Sequence, residues 1–383
     1  MKHTIRLVIL AFCSVLFLSA CNGTTDTAPP ADEIVIGEYG SLTGSTATFG
    51  TSTKNGIDIA VDEINNAGGI LGKKVRVIVE DDQGLSAEAQ TVVTKLITKD
   101  KVVAVLGEVA SSNSIAAAPV AQQAGIPMIS PSSTNPDVTK KGDYIFRVCF
   151  LDPFQGYVMA KFTANTLKLT KIAIFREISS DYSVGLANAF IENFKKMGGT
   201  IVADESYNKG DTDFNAQLTS LKAKNPQGVF VPGYYTEVGL IARQAKKQGL
   251  TVPLIGGDGW DSPKLIEVGG KDLDGSFFSN HYAVEDPSPA AQKFLAAYKE
   301  RFKSTPDALA GLGYDSAMVL FEAIKRAGST EGMKIRDAIA QTKGHAGVTG
   351  TITLNAERNA DKPAVVIEIK EGKFIYRETI APQ

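Results

Sequence analysis

Two segments of the sequence combine turn-forming residues with an unusual number of hydroxyl side chains. The first, residues 107–114, follows the apolar run 102–106, and the second, residues 130–136, follows the apolar run 127–129. If the runs are strands and each segment starts a helix or turn, free backbone N–H groups and nearby hydroxyls can bind an anion without a basic side chain. The alternative is that these serines only cap helices, the commoner role for any single one. Two such segments after neighbouring strands favour an anion-binding site.

The sequence contains no recognisable catalytic or cofactor-binding motif. The glycines within residues 37–44 do not form the dinucleotide-binding pattern, and Leu42 stands where a nucleophile elbow requires serine. The pair Gly72-Lys73 lacks the first glycine and the hydroxyl residue of a phosphate-binding loop. The acidic pairs Asp81-Asp82 and Asp211/Asp213 read as solvated carboxylates, which are far commoner than acid–base pairs. We therefore expect neither an enzyme nor a bound cofactor.

The composition excludes several further classes of protein. The chain has 383 residues, of which 43% are hydrophobic and 21% charged, as in folded globular proteins. Its 40 basic and 42 acidic residues give a formal net charge of −2, so no basic surface for nucleic acid is expected. The three histidines and three cysteines show none of the spacings of a zinc site. A chain of this length predicts two domains, or at most three.

The first 32 residues predict export and a membrane anchor. Lys2 and Arg6 precede an apolar run over residues 7–18 that only Ser14 interrupts, which is typical of an export signal and too short for a spanning helix. Leu18-Ser19-Ala20-Cys21 resembles the bacterial lipobox, so we expect a signal peptide over residues 1–20 and lipidation of Cys21. An ordinary cleaved signal beside a cysteine is the alternative. Residues 21–32 are polar and predict a flexible tether, which would hold the protein on a membrane in the periplasm or at the cell surface.

From residue 34 onward, short β-branched runs alternate with longer amphipathic stretches, which predicts parallel sheets covered by helices. The predicted strands are 34–37, 75–80, 102–106, 127–129, 144–147, 172–175, 201–205, 229–231, 253–255, 276–279, 351–354, 365–369 and 373–376. The predicted helices are 52–67, 86–99, 184–197, 214–223, 238–248, 290–302, 313–327 and 333–341. Glu371-Gly372 predicts a hairpin turn between the last two strands. The alternation restarts after residue 147, so we expect two α/β units with a ligand cleft at the carboxyl ends of their strands.

Short motifs spread over nearly the whole body agree in order and spacing with one known family. They are Ile36-Gly37, Ser41-Leu42-Thr43-Gly44, Ala67-Gly68-Gly69-Ile70, Asp81-Asp82, 107–112, Ser130-Pro131-Ser132-Ser133-Thr134, Phe146-Arg147, Asp181-Tyr182, Gly233-Tyr234, 256–259 and Gly313-Tyr314. With these motifs the sequence resembles the periplasmic leucine/isoleucine/valine-binding proteins, the solute receptors of branched-chain amino acid ABC transporters.

The resemblance implies an α/β fold of the type I periplasmic binding-protein class. In that fold two Rossmann-like lobes are joined by three crossovers and close on the ligand like a clam. The crossovers are expected near residues 149–153, 280–283 and 348–351. Lobe 1 would then comprise residues 33–150 plus 283–348, and lobe 2 residues 151–282 plus 349–383.

The resemblance also implies roles for polar residues. Ser111 and Thr134, with their backbone N–H groups, would hold a ligand carboxylate. The Ser132 carbonyl, the Thr134 hydroxyl and Asp258 would hold its ammonium group. Asp258 is shorter than the glutamate of the leucine-type receptors, so the amine would sit deeper or be bridged by water. Ser133, in the same segment, is included among the ligand-binding candidates.

Aromatic and apolar residues complete the implied site. Tyr182 and Tyr234 would come from the second lobe and close over the ligand. The candidates for the apolar wall are Phe49, Val109, Trp260 and Leu309. For each of these residues, ordinary core packing is the alternative interpretation.

The implied function is that of a receptor outside the cytoplasm that captures an amino acid, in the first place a branched-chain one, and delivers it to an ABC permease. Receptors for amides, urea or aromatic acids and sensory ectodomains share the scaffold and stay alternatives. An exported enzyme is disfavoured because no nucleophile, base and orienting acid occur together. A DNA-binding regulator is excluded by the leader and by the lack of a helix-turn-helix pattern.

Overall fold

The structure, a computed structural model, describes residues 33–382. The predicted signal peptide at residues 1–20 and the predicted tether at 21–32 with Cys21 lie outside the described residues. The chain from Glu33 onward forms two α/β units, each built on its own sheet, and a small two-stranded sheet. None of the helices in residues 33–382 has both the length and the hydrophobicity needed to cross a bilayer.

The first unit is built from the elements that precede residue 148. They are β1 (Glu33–Gly40), α1 (Ala47–Asn66), β2 (Lys74–Asp81), α2 (Ser86–Thr98), β3 (Val105–Leu106), α3 (Ser111–Ala124), β4 (Met128–Ser130) and β5 (Ile145–Arg147). All five strands are parallel, in the order β2-β1-β3-β4-β5. Strand β1 is buried from its second residue to its last, as expected where helices cover both faces of a parallel sheet.

The second unit has a seven-stranded sheet. Its elements are α4 (Asp152–Lys161), β6 (Lys171–Glu177), α5 (Asp181–Lys196), β7 (Thr200–Tyr207), α6 (Asn215–Ala223), β8 (Gly228–Phe230), α7 (Tyr235–Lys247), β9 (Leu254–Gly256), α8 (Pro263–Gly269), β10 (Ser276–Asn280), β13 (Ala364–Lys370) and β14 (Lys373–Ile380). The strand order is β14-β13-β10-β9-β8-β6-β7, with β13 and β14 antiparallel. Glu371 and Gly372 both have positive φ, 51° and 68°, as a type I′ turn requires, which confirms the predicted hairpin.

Between β10 and β13 the chain returns to the first unit. This segment contains α9 (Pro289–Phe302), α10 (Ala308–Ala327), α11 (Gly332–Ala340), β11 (His345–Gly347) and β12 (Gly350–Ile352). Helix α10 packs along α1 at a distance that only glycine allows, because a Cβ on Gly56 would lie 1.9 Å from the Ala310 carbonyl oxygen. Within residues 33–382 the chain thus passes between the units after β5, after β10 and between β12 and β13. The lobe boundaries 33–150 plus 283–348 and 151–282 plus 349–383 stay a prediction.

Some element boundaries differ from the sequence-based predictions. Helix α1 begins at Ala47 rather than at residue 52, and α10 begins at Ala308 rather than at residue 313. The additional first turns contain Phe49 and Leu309, which are buried. Helix α4 has no counterpart among the predicted helices. Phe49, for example, packs on Tyr234 and Tyr235, which are far away in the sequence. Local periodicity cannot show contacts of this kind.

Candidate functional site

A small cavity lies where the carboxyl ends of the strands of the two units face each other. The space it leaves for a water-sized molecule is only about 10 Å³, so its walls lie close together and a larger ligand enters only when the two units separate. It is lined by Phe49, Val109, Ser111, Ser132, Thr134, Tyr182, Tyr234, Asp258, Gly259 and Leu309. All of these except Gly259 are residues that the sequence analysis singles out.

One end of the cavity is formed by α3 and by the loop after β4. Ser111 is the first residue of α3, and its hydroxyl accepts a hydrogen bond from the Asn135 N–H at 3.2 Å while keeping its own proton to donate. The hydroxyls of Ser132 and Thr134 are buried, and within residues 33–382 they have no hydrogen-bond partner. Buried hydroxyls are normally hydrogen-bonded, so these two are available to a ligand. Together with the N–H groups of the first turn of α3, they form an end suited to an anion.

Two predicted site residues, Ser133 and Trp260, lie outside the cavity lining. The Ser133 hydroxyl points to Ser114 Oγ at 2.8 Å and to the Glu108 carbonyl oxygen at 2.9 Å, so it ties the two strand-end loops together. Trp260 is fully buried, and its Nε1 donates to the Val231 carbonyl oxygen at 3.0 Å. Both side chains are used in packing the loops that carry the site, because their hydrogen-bonding groups already have partners there.

The second unit contributes the aromatic residues. Tyr182 and Tyr234 stack with ring centroids 5.3 Å apart, and Tyr234 meets Phe49 of the first unit edge to face at 5.7 Å. The Tyr182 hydroxyl accepts a hydrogen bond from the Gly259 N–H at 3.1 Å. Burial raises the pKa of both phenols well above the ordinary value, so both are neutral. Val109 completes an apolar wall next to these rings.

Asp258 supplies the negative charge of the cavity. Its side chain is held by two residues absent from the sequence-based predictions. Gln155 Nε2 donates to Oδ1 at 2.8 Å, and His281 Nε2 lies 2.9 Å from Oδ2. Gln155 lies in α4 and His281 directly follows β10, both beside points where the chain passes between the units. No local motif marks either residue, because their importance depends on contact with a residue far away in the chain.

A second acid, Asp152, lies behind the cavity at the first position of α4. It is buried, and neither carboxyl oxygen has a hydrogen-bond partner among the described residues. Burial and then the charge of Asp258 raise the pKa of Asp152 well above its ordinary value, while the charge of Arg147 acts in the opposite direction. The surroundings of Asp152 therefore favour its uncharged form. Nothing in the sequence pattern distinguishes it from a helix-starting aspartate at the surface.

Hydrogen bonds between the two units close the cavity from the outside. They join Lys209 Nζ to the Gly84 carbonyl oxygen at 2.6 Å, Thr236 Oγ1 to the Ser45 carbonyl oxygen at 2.8 Å, Thr48 Oγ1 to Ser262 Oγ at 2.9 Å and the Asp181 N–H to Ser112 Oγ at 3.0 Å. With these contacts formed, the two units enclose the cavity between them.

The arrangement of groups defines what the cavity can bind. The Ser111 and Thr134 end suits an anionic group, Asp258 suits a cationic one, and the apolar wall includes Phe49 and Leu309. A small zwitterion with an apolar substituent meets all three requirements. Within residues 33–382, no group of three or more histidine, cysteine or acidic side chains is placed to hold a metal ion.

Comparison with known proteins defines the class. The family model for periplasmic binding proteins matches residues 33–373. The chain belongs to the periplasmic binding protein family. This is a family of solute-binding proteins that act outside the cytoplasm rather than a family of enzymes.

Within that family, the similar proteins carry names connected with branched-chain amino acids. The Leu/Ile/Val-binding protein homolog 3 of Brucella melitensis is 31% identical over 350 residues, which cover 90% of this chain and 94% of the relative. The leucine-binding protein LivK of Thermotoga maritima is 40% identical with a TM-score of 0.89, covering 91% of this chain and 99% of the other. The substrate-binding protein LivJ of Streptococcus pneumoniae, solved with isoleucine, is 38% identical with a TM-score of 0.87, covering 91% and 100%. These matches confirm the predicted fold and the predicted family.

Proposed function

We propose that this protein is the extracytoplasmic receptor of an ABC transporter, which captures a branched-chain amino acid between its lobes and delivers it to the permease. The observation that carries the proposal is the lining of the cavity, where an end suited to an anion, the carboxyl group of Asp258 and an apolar wall face one another. The relatives named for leucine, isoleucine and valine support the same ligand class.

In this proposal each lining residue has a defined task. Ser111 and Thr134 hold the α-carboxylate, and Asp258 with the Ser132 carbonyl oxygen holds the α-ammonium group. Tyr182 and Tyr234 cover the ligand from the second lobe. The aliphatic side chain lies against Phe49, Val109 and Leu309, which are all nearly inaccessible to water. Burying a leucine or isoleucine side chain there contributes about 1.5–3 kcal/mol, which a polar side chain would not gain.

The test is calorimetry on the mature protein, unfolded and refolded to remove any ligand carried through purification. Leucine, isoleucine and valine are titrated alongside aspartate, lysine, acetamide, urea and benzoate. We expect saturable binding of the branched-chain amino acids with a stoichiometry of one. Preferential binding of urea, an amide or benzoate would contradict the proposal and favour another receptor on the same scaffold.

Delivery is tested separately from binding. Cells that lack the receptor should lose uptake of radiolabelled leucine, and a plasmid copy should restore it. Loss of a transcriptional response to leucine with unchanged uptake would instead favour a sensory role.

For localisation we propose that a lipid on Cys21 anchors the mature chain. The substitution Cys21→Ser removes the acylated thiol, so the variant should lose fatty-acid label and no longer partition into detergent. Labelling equal to the wild type would show that the lipobox interpretation is wrong. The matched control is Ser19→Ala, which keeps the thiol and a small residue before it.

A further inference from the structure

Both carboxylate oxygens of Asp258 are already hydrogen-bonded inside the protein. Gln155 Nε2 donates to Oδ1 at 2.8 Å, and His281 Nε2 lies 2.9 Å from Oδ2. The two partners come from different passages of the chain between the units. Gln155 follows the passage after β5, and His281 begins the passage after β10. Asp258 is therefore fixed in place before any ligand arrives, with one lone pair on each oxygen left over.

The environment of His281 decides its protonation state. Its side chain is completely buried, and its ring stacks on Phe150 with centroids 3.7 Å apart. Its Nδ1 has no hydrogen-bond partner within residues 33–382. Burial lowers the pKa of the imidazole below its ordinary value, Lys362 acts in the same direction, and only Asp258 opposes them. His281 is thus neutral, with its proton on Nε2, because a proton on Nδ1 would be a buried donor without an acceptor.

A neutral donor has a specific consequence for the charge of the cavity. A positively charged partner would neutralise Asp258 and remove its attraction for a ligand cation. The neutral Nε2–H and the neutral Gln155 amide orient the carboxylate and leave its full negative charge to the ligand.

We propose that His281 is a positioning residue for ligand recognition. Its Nε2–H holds Oδ2 of Asp258 in place without adding a positive charge beside the carboxylate. The site thereby selects ligands that carry an ammonium group. The inference rests on the proposed function, because it requires an α-amino acid in the cavity. It adds a residue that lines no part of the cavity and acts only through Asp258.

The experiment compares two substitutions and two ligands. His281→Leu removes the donor and keeps an apolar side chain against Phe150, whereas His281→Gln keeps an N–H donor at the distance of Nε2. Tyr282→Phe is the matched control, because this neighbour is buried and its hydroxyl has no partner in the described part of the chain. Each refolded protein is titrated by calorimetry with leucine and with 4-methylpentanoate, which is leucine without its amine, and each is melted without ligand to compare folding.

We expect His281→Leu to bind leucine about 10- to 100-fold more weakly, the usual effect of one hydrogen bond to a charged group. Its affinity for 4-methylpentanoate should change by less than about threefold, and His281→Gln should recover leucine binding to within about threefold of the wild type. A merely structural role would weaken both ligands equally, so the ratio of the two affinities is the decisive quantity.

Three results overturn the inference: unchanged leucine binding in His281→Leu, equal losses for both ligands, or a loss in His281→Gln as large as that in His281→Leu. If the wild-type protein binds no branched-chain amino acid at all, the proposed function itself is wrong. That outcome is recognised from the wild type alone, before any variant is compared.

Discussion

Buried hydroxyl groups without hydrogen-bond partners are unfavourable, and the cavity contains those of Ser132 and Thr134. Each such group lacks the bonds it would make with water in the unfolded chain, at a cost of about 1–3 kcal/mol. A ligand carboxylate or ammonium group supplies the missing partner. Binding and stability are therefore linked at the scale of single residues, and the ligand-free closed form is disfavoured by the same groups that recognise the ligand.

The first prediction concerns Ser111 and Thr134. Ser111→Ala and Thr134→Ala should each weaken leucine binding by about 10- to 100-fold, since each removes a donor to a charged carboxylate. Calorimetry gives the dissociation constants. Unchanged constants in both variants would place the carboxylate elsewhere.

Ser133→Ala is the matched control for these two. Ser133 lies in the same loop, but its hydroxyl is bonded to Ser114 and to the Glu108 carbonyl oxygen rather than facing the cavity. We expect this variant to unfold at lower temperature while its affinity for leucine stays close to the wild type.

The second prediction concerns the charge of Asp258. Asp258→Asn keeps the size of the side chain and removes the charge, so leucine affinity should fall by about 2–5 kcal/mol, the range for truncating one partner of a buried charge pair. Binding of 4-methylpentanoate should stay the same or improve, because the variant no longer leaves a buried carboxylate unpaired. Asp213→Asn, in an exposed loop, is the control. A wild-type preference for the desamino acid would contradict the assignment of Asp258.

At the scale of secondary-structure elements, α4 is the helix that does most to organise the site. Its first residue is Asp152, and Gln155 follows one turn later on the side that faces Asp258. The Asp152 N–H donates to the Thr134 carbonyl oxygen at 3.0 Å, which connects α4 to the hydroxyl-rich loop of the other unit. One short helix thus fixes groups on both sides of the cavity.

The third prediction concerns β1 and α1. Glu38 in β1 is buried beside Asp58 of α1, and burial followed by the charge of Asp58 raises its pKa to about 8, while Lys54 opposes the shift. The folded state therefore binds this proton more tightly than the unfolded chain. The free energy of unfolding should fall as the pH rises from about 4.5 to 8, with a slope from this group of up to about 1.4 kcal/mol per pH unit.

Urea denaturation of the ligand-free protein at pH 5, 6, 7 and 8 measures this slope. Glu38→Gln should flatten it and raise stability at pH 8 relative to the wild type, with little effect at pH 5. Glu300→Gln, at the exposed end of α9, should leave the slope unchanged. Equal slopes in the wild type and Glu38→Gln would show that Glu38 is ionised in the folded state.

At the scale of the whole molecule, hydrogen bonds between the two units enclose the cavity. Several of them join main-chain groups of one unit to side chains of the other, including Lys209 to Gly84 and Thr236 to Ser45. Such contacts do not touch the ligand, but they shift the balance between open and closed forms. The apparent affinity of a ligand depends on that balance, because only the binding-competent population contributes.

The fourth prediction follows for Lys209. Lys209→Met removes its bond to the Gly84 carbonyl oxygen, so leucine affinity should fall by about 3- to 10-fold, the effect of one partly solvated hydrogen bond. Small-angle scattering should show the usual compaction on ligand binding only at higher leucine concentration. Lys196→Met, whose ammonium pairs with Glu192 on the same helix, is the control and should change neither quantity. An affinity equal to the wild type would mean that the Lys209 contact does not contribute to closure.

The sequence by itself determined the parts of this protein that depend on local rules. Alternation of apolar runs with amphipathic stretches reflects burial of parallel strands between helices, and Glu371-Gly372 adopts the positive φ angles of a hairpin turn for steric reasons confined to the turn. Hydroxyl-rich segments at two strand ends, residues 107–114 and 130–136, indicated an anion-binding site, since the carboxyl ends of neighbouring parallel strands lie at the same edge of a sheet. The choice of Ser111 and Thr134 within them came from the family resemblance.

Only the tertiary structure decided which of the candidate side chains reach the cavity and which groups support them. Ser133 and Trp260 turn into the packing around it, while Gln155 and His281 join Asp258 across 103 and 23 residues of chain. Asp152 resembles a surface residue in the sequence, but in the fold it is buried and its pKa is raised by that burial. The reason is physical: burial, charge and hydrogen-bond satisfaction are properties of neighbours in space, and Gln155 and His281 reach Asp258 from the first and second of the three passages of the chain between the two units.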